Sequence, residues 1–323
     1  MENLNLNNSL NNALDYYPPI KLFEQGFLSV SRLHTIHYAL YGNPKGKPVF
    51  FLHGGPGCGC TDDDARWFDS DKFLIITHDQ RGSGKSIPLA EIKENTPQLL
   101  VDDIEKLSKH LNVTNPFSIF AGSWGTTLAL LYAETYPQNV LRMILRGIFT
   151  CSYEEQDYFY SENGAAKFSP EAWKNLIKRI PEGKDRIQVR IHKLIENSNE
   201  KEKLKWCRIL AEYEYSFFNL STDDLKKELT KIGSVYPEMR LNMYYQANRF
   251  FLKDNQIINN IQSIKKIPIA IVQGKNDLIC PPESAKNLHR HLSNSKLILV
   301  AGGHLSSDAK IKHSLLGAVN MWE

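Results

Sequence analysis

The stretch FSIFAGSWGTTLALLYAETYP, residues 117–137, decides the fold. It opens with an apolar run of strand character, turns at Gly122-Ser123, and continues as TTLALLYA, a helix that Pro137 stops. A serine between such a strand and such a helix, with small residues two before and two after it, reads as a nucleophile elbow. The chain must turn sharply there. Gly125 meets the requirement, and Ala121 stands where glycine is commoner, adding one methyl group.

Outward from the elbow, the same grammar of apolar strand and polar loop recurs. Upstream, PVFFLHGGPG and FLIITHDQRGSG each run from a short apolar segment into a loop; downstream come VLRMILRG, IPIAIVQGKND and KLILVAGGH. Runs apolar on both faces suit the central strands of a parallel sheet. Helical spacing covers Pro97 to Leu111 (Leu100, Ile104, Leu107 and Leu111), Pro281 to about residue 292, and Ser307 to Met321. FLSVSRL and TIHYALYG, between Phe27 and Gly42, read as two further strands. The fold class is therefore α/β, a mostly parallel, doubly wound sheet.

After Gly147, from about residue 150 to 262, the texture changes to Glu, Lys, Tyr, Phe and Trp with no buried strand. This predicts a helical cap at 150–262 inserted into a core made of 17–149 and 263–323. An asparagine-rich tail precedes them at 1–16.

The order of the partners identifies the chemistry. Asp277 follows the strand IPIAIVQG and His304 follows KLILVAGG, so Ser123, Asp277 and His304 occur in the chain order of an α/β-hydrolase triad. Among rivals, His313 falls within the last helix, His289 and His291 lie at the end of another, Asp254 follows no buried strand, and Asp308 suits a helix cap. His53-Gly54-Gly55-Pro56-Gly57 follows the strand expected to supply an oxyanion hole. The backbone N–H groups of Trp124 and of Gly55 or Gly54 are the expected donors, each worth about 3–4 kcal/mol of barrier. Ser123 then acts as nucleophile, His304 as general base and acid, and Asp277 as the group that orients the imidazole. An aspartate nucleophile, as dehalogenation or epoxide opening on this architecture requires, is excluded by Ser123. No HExxH, Cys/His cluster or phosphate loop is present, so neither metal nor cofactor is expected.

Composition narrows the partners. With 323 residues, 39 basic against 36 acidic and a net charge of +3, the chain has no basic stripe for nucleic acid and no anionic-membrane signature. No segment reaches the roughly 18 apolar residues of a membrane span, and the N-terminus lacks a secretory pattern. Five cysteines without repeated spacing point to a reducing, cytoplasmic setting.

With HGGPG, DQRG and AGSWG in place, together with VDDIEKLSKHL and LRGIF at Leu145 to Phe149, the chain resembles the serine-dependent proline iminopeptidases from about Tyr17 onward. The resemblance implies a peptide substrate with a free N-terminus, and it includes Cys280, three residues after Asp277. An exopeptidase needs an anion for the substrate ammonium. Glu154, Glu155, Glu212, Glu214 and Glu238 are candidates, and Tyr213-Glu214 matches the family's aromatic-Glu pair. At the family's second glutamate stands Asn242, for which Glu238, one helical turn earlier, could compensate. An aromatic pocket for proline would draw on Phe149, Tyr153, Tyr158, Phe159 and Tyr160. The alternatives are a carboxylesterase or amidase, or a ligand-binding relative without catalysis.

Overall fold

A computed structural model describes residues 15–218 and 220–322. Eight strands form one sheet in the order β1-β2-β4-β3-β5-β6-β7-β8. They are β1 (Leu22–Ser29), β2 (Thr35–Gly42), β3 (Lys47–Leu52), β4 (Phe73–His78), β5 (Phe117–Gly122), β6 (Val140–Arg146), β7 (Ile269–Gly274) and β8 (Ser295–Val300). β2 is antiparallel to both β1 and β4, and every pairing from β4 to β8 is parallel.

The helices are α1 (Pro97–His110), α2 (Trp124–Thr135), α3 (Tyr153–Phe159), α4 (Pro170–Ile177), α5 (Ile187–Glu196), α6 (Glu200–Tyr215), α7 (Thr222–Thr230), α8 (Ile232–Ala247), α9 (Gln256–Asn260), α10 (Pro282–His291) and α11 (Ala309–Asn320). Between β6 and β7 the described residues form helices and no strand.

The central strands are buried on both faces, and their side chains alternate between two cores. Phe50 and Leu52 of β3 share one core with Ile104 and Leu107 of α1 and with Leu128 and Leu130 of α2. Val49 and Phe51 of the same strand point the other way and pack with Trp67, Phe68 and α11. A third cluster, built around Leu176, Ile191, Leu210, Tyr213 and Met239, belongs to the inserted helices.

The first strand differs from expectation: it spans Leu22–Ser29 rather than starting at Phe27, and the chain bends at residues 31–33. β1 is an edge strand with an exposed outer face, so Glu24 and Gln25 interrupt its apolar signal. Most of the expected tail, residues 1–14, lies outside the described residues. Its end is tied down: the Tyr16 ring meets Trp67 edge-on at 4.7 Å, and the Tyr17 N–H donates to the Arg66 carbonyl.

For function, the reversal of strand order matters most. β3 lies between β4 and β5, and its last pairing with β5 is Leu52 with Ala121. The loops leaving both strands therefore emerge side by side at the carboxyl edge, where open α/β sheets bind ligands.

Candidate active site

Ser123 sits between β5 and α2 with φ 55° and ψ −128°, a backbone conformation rare for a residue with a side chain. Two close approaches enforce it. A Cβ on Gly125 would lie 2.3 Å from the Leu52 carbonyl oxygen, and one on Gly122 would lie 2.4 Å from Arg146 Nη2. The Ala121 methyl, by contrast, is accommodated in the core with no exposure.

The loop after β8 brings His304 to this turn. His304 Nε2 lies 3.2 Å from Ser123 Oγ, and Nδ1 lies 2.8 Å from Asp277 Oδ2. The carboxylate Oδ1 accepts the N–H groups of Ile279 and Cys280, and Gln273 Nε2 donates to Oδ2. Burial pushes the Asp277 carboxyl up, but His304, the Cys280 N–H and Arg146 outweigh it and hold the group below its ordinary value. An ionised Asp277 accepts the Nδ1–H, leaving Nε2 as acceptor for the serine hydroxyl. Arg146 Nη1 donates to the His304 carbonyl at 2.8 Å, fixing the loop, and Phe218 from the inserted helices stacks on the imidazole with centroids 6.0 Å apart.

The glycine loop is anchored by the DQRG segment. Gln80 donates through Nε2 to the His53 carbonyl at 2.9 Å and through its backbone N–H to His53 Nε2 at 3.0 Å; its Oε1 accepts the Trp124 indole N–H at 2.9 Å. One side chain thus ties the loop after β3 to the helix that follows Ser123. Asp79 accepts from the Cys60 and Lys85 N–H groups, and Arg81 forms a buried two-pronged pair with Asp103 at 2.6 and 2.8 Å. Gly55 and Gly57 have φ of 108° and 104°, which favours glycine at both. Trp124 is the first residue of α2, so its N–H has no intrahelical acceptor.

These groups open into a cavity of about 240 Å³, which Gly54, Gly55, Ser123 and His304 share with Phe149, Phe159, Phe218 and Phe250. Glu214 of α6 and Glu238, Asn242 and Gln246 of α8 complete its polar side. Asn242 Nδ2 donates to both Glu214 oxygens at 2.8 and 2.9 Å, and the Tyr160 hydroxyl donates to Oε1. Burial pushes Glu214 up to about 8, and the charge of Glu238 adds to this against the hydrogen bonds from Tyr160 and Asn242. Gln246 is buried, and among the described residues its Oε1 has no hydrogen-bond partner.

The structure separates the sequence candidates. Glu154 and Glu212 are exposed away from the cavity, and Glu155, although on the wall, caps α3 by accepting from Thr150 and Ser152. Phe149 and Phe159 line the cavity. Tyr153 does not: its ring lies under Arg249, 4.4 Å from the guanidinium carbon. Tyr160 serves Glu214 rather than the aromatic wall. Asn242 presents its amide nitrogen to Glu214, so towards that carboxylate it acts as a donor. Phe218, Phe250 and Cys58 lie on the wall without having carried any signal in the sequence.

A serine, histidine and aspartate joined at the carboxyl rim of such a sheet define a serine hydrolase of the α/β-hydrolase class, and the α/β-hydrolase fold family matches residues 47–310. Solved structures agree on the fold. An α/β-hydrolase, MGS-M2, from a Medee basin deep-sea metagenome superimposes with a TM-score of 0.64 at 18% identity over 92% of this chain and 96% of its own. A putative lipase from Acinetobacter baumannii gives 0.62 at 19% over 94% and 90%.

Sequence relatives are more specific. The chain is 40% identical to a probable proline iminopeptidase of Leptolyngbya boryana over 94% of its length and 95% of the relative's. It is 36% identical to the proline iminopeptidases of Arabidopsis thaliana (95% and 82% covered) and Neisseria gonorrhoeae (92% and 95%). The chain belongs to the proline iminopeptidases, serine peptidases of the α/β-hydrolase fold.

Proposed function

We propose that this chain releases an N-terminal proline from peptides through Ser123, His304 and Asp277. Ser123 Oγ attacks the carbonyl of the terminal residue while His304 Nε2 takes its proton. The backbone N–H groups of Trp124 and Gly55, with Gly54 beside them, receive the negative charge that develops on the carbonyl oxygen. His304 then returns the proton to the departing amine, and water, activated by the same imidazole, clears the acyl-enzyme.

The observation that carries the substrate assignment is a buried carboxylate without a cation. Glu214 faces the cavity, held by Tyr160 and Asn242, and no Lys, Arg or His pairs with it among the described residues. An uncompensated buried anion is costly, and a substrate ammonium relieves that cost. Phe149, Phe159, Phe218 and Phe250 supply the apolar surface for a pyrrolidine ring. Five free cysteines support a reducing, cytoplasmic setting, and among the described residues no helix is long and apolar enough to cross a membrane.

A panel of aminoacyl p-nitroanilides with free and blocked amines tests the reading. Unblocked proline is expected to turn over fastest, and Glu214→Gln is expected to lower kcat/KM for it by about tenfold or more relative to a neutral ester. Faster turnover of blocked compounds, or equal loss on amide and ester, would overturn the amine assignment and favour an esterase.

A further inference from the structure

Helix α8 lines the cavity with Glu238, Asn242 and Gln246, four residues apart and so on one face. Asn242 cannot supply a charge, and its nitrogen is engaged by Glu214. Glu238 supplies one. Its Oε2 accepts the Tyr215 hydroxyl at 2.7 Å, and the Cys58 thiol donates to the same carboxylate. These three residues come from α6, from the loop after β3 and from α8, so the contact is tertiary in origin.

Gly57 makes the arrangement possible. A Cβ there would lie 2.7 Å from the Glu238 Cα and 2.9 Å from the Pro237 carbonyl oxygen. The bare backbone at Gly57 admits α8 to the glycine loop, and the next residue, Cys58, meets the Glu238 side chain. Both donors to Glu238 are neutral, and no Lys, Arg or His pairs with it among the described residues. Two carboxylates, each held by its own donors, therefore face one cavity beside Ser123.

We propose that Glu238 is the second anion of the amine pocket, held there by Cys58 and Tyr215, and that it replaces the charge Asn242 lacks. The inference rests on the reading of Glu214 as amine receiver. The secondary ammonium of a terminal proline has two N–H donors, one for each carboxylate. Cys58 and Tyr215 are positioning residues, and Asn242 positions Glu214 in the same way.

The test measures kcat and KM for prolyl and alanyl p-nitroanilide and for p-nitrophenyl acetate with wild type, Glu214→Gln, Glu238→Gln, Cys58→Ala and Tyr215→Phe. Glu238→Gln is expected to raise the prolyl KM about tenfold or more and to lower the ratio of prolyl to acetyl kcat/KM accordingly. Cys58→Ala and Tyr215→Phe are expected to raise the prolyl KM about two- to fivefold with kcat retained, since each removes one hydrogen bond to the anion. A large effect of Glu214→Gln with a wild-type prolyl KM in Glu238→Gln overturns the inference and leaves the proposed function standing. Wild-type KM in both Glu variants overturns the two together. Should Glu238→Gln not fold, wild-type prolyl KM in both Cys58→Ala and Tyr215→Phe overturns the inference by itself.

Discussion

Ser123 combines the proposed nucleophilic hydroxyl with a backbone that L-residues rarely adopt, at a cost of about 1–3 kcal/mol. Glycine adopts that conformation freely, so Ser123→Gly should raise the thermal midpoint, by about 2 °C for each kcal/mol recovered, while abolishing labelling by a fluorophosphonate. A lower midpoint in the glycine variant would show that the surrounding turn, and not the serine backbone, carries the strain. This residue, Asp277 and His304 were legible in the sequence because each follows an apolar strand in a loop of fixed grammar. Tyr215 and Cys58 were not. Their partner Glu238 lies 23 residues from Tyr215 and far from Cys58 in the chain, and no periodicity links residues that only tertiary packing brings together.

At the level of elements, the first turn of α2 is pressed against the end of β3. Gly125→Ala would place a methyl group on the Leu52 carbonyl, which is backbone and cannot move aside. The expected result is a loss of about 1–3 kcal/mol in stability together with at least a tenfold fall in kcat, because Trp124 is displaced from the glycine loop. Gly233→Ala is the contrasting substitution: a Cβ there meets nothing within 4 Å, and alanine in a helix is expected to be neutral or stabilising by about 0.5–1 kcal/mol. Chemical denaturation of the two variants checks both. The core helices were legible to within a few residues, Pro97–His110 against an expected end at Leu111. The edge strand and the placement of Tyr153 off the cavity wall were not, since polar residues on a strand and aromatics on a short helix do not declare which side they face.

Across the whole molecule, the polar side of the cavity makes stability depend on pH. Glu214 is raised from 4.5 to about 8, so the folded protein keeps a proton there that the unfolded chain releases at lower pH. The folded state binds more protons through this window, and stability is therefore lost as pH rises from about 4.5 to about 8. Burial raises Glu134 to about 8 as well, so the effect of Glu214 is one part of the total. Glu214→Gln should narrow the difference in midpoint between pH 6 and pH 8.5 by roughly 2 °C or more, as read by scanning calorimetry. An unchanged difference would mean that Glu214 stays ionised throughout. The doubly wound sheet was legible because its central strands are apolar on both faces. The inserted helices were legible as a block, but their internal packing, which decides which glutamates turn inward, depends on contacts among distant segments.

The contact at Gly57 has a consequence for how this architecture can be re-engineered. Main chain meets main chain there, with no side chain to absorb a misfit. The segment between Arg146 and Ile269 is therefore no interchangeable cassette: a graft from another hydrolase would have to reproduce the path of residues 237 and 238 to sub-ångström tolerance, or displace the glycine loop that lies beside Ser123.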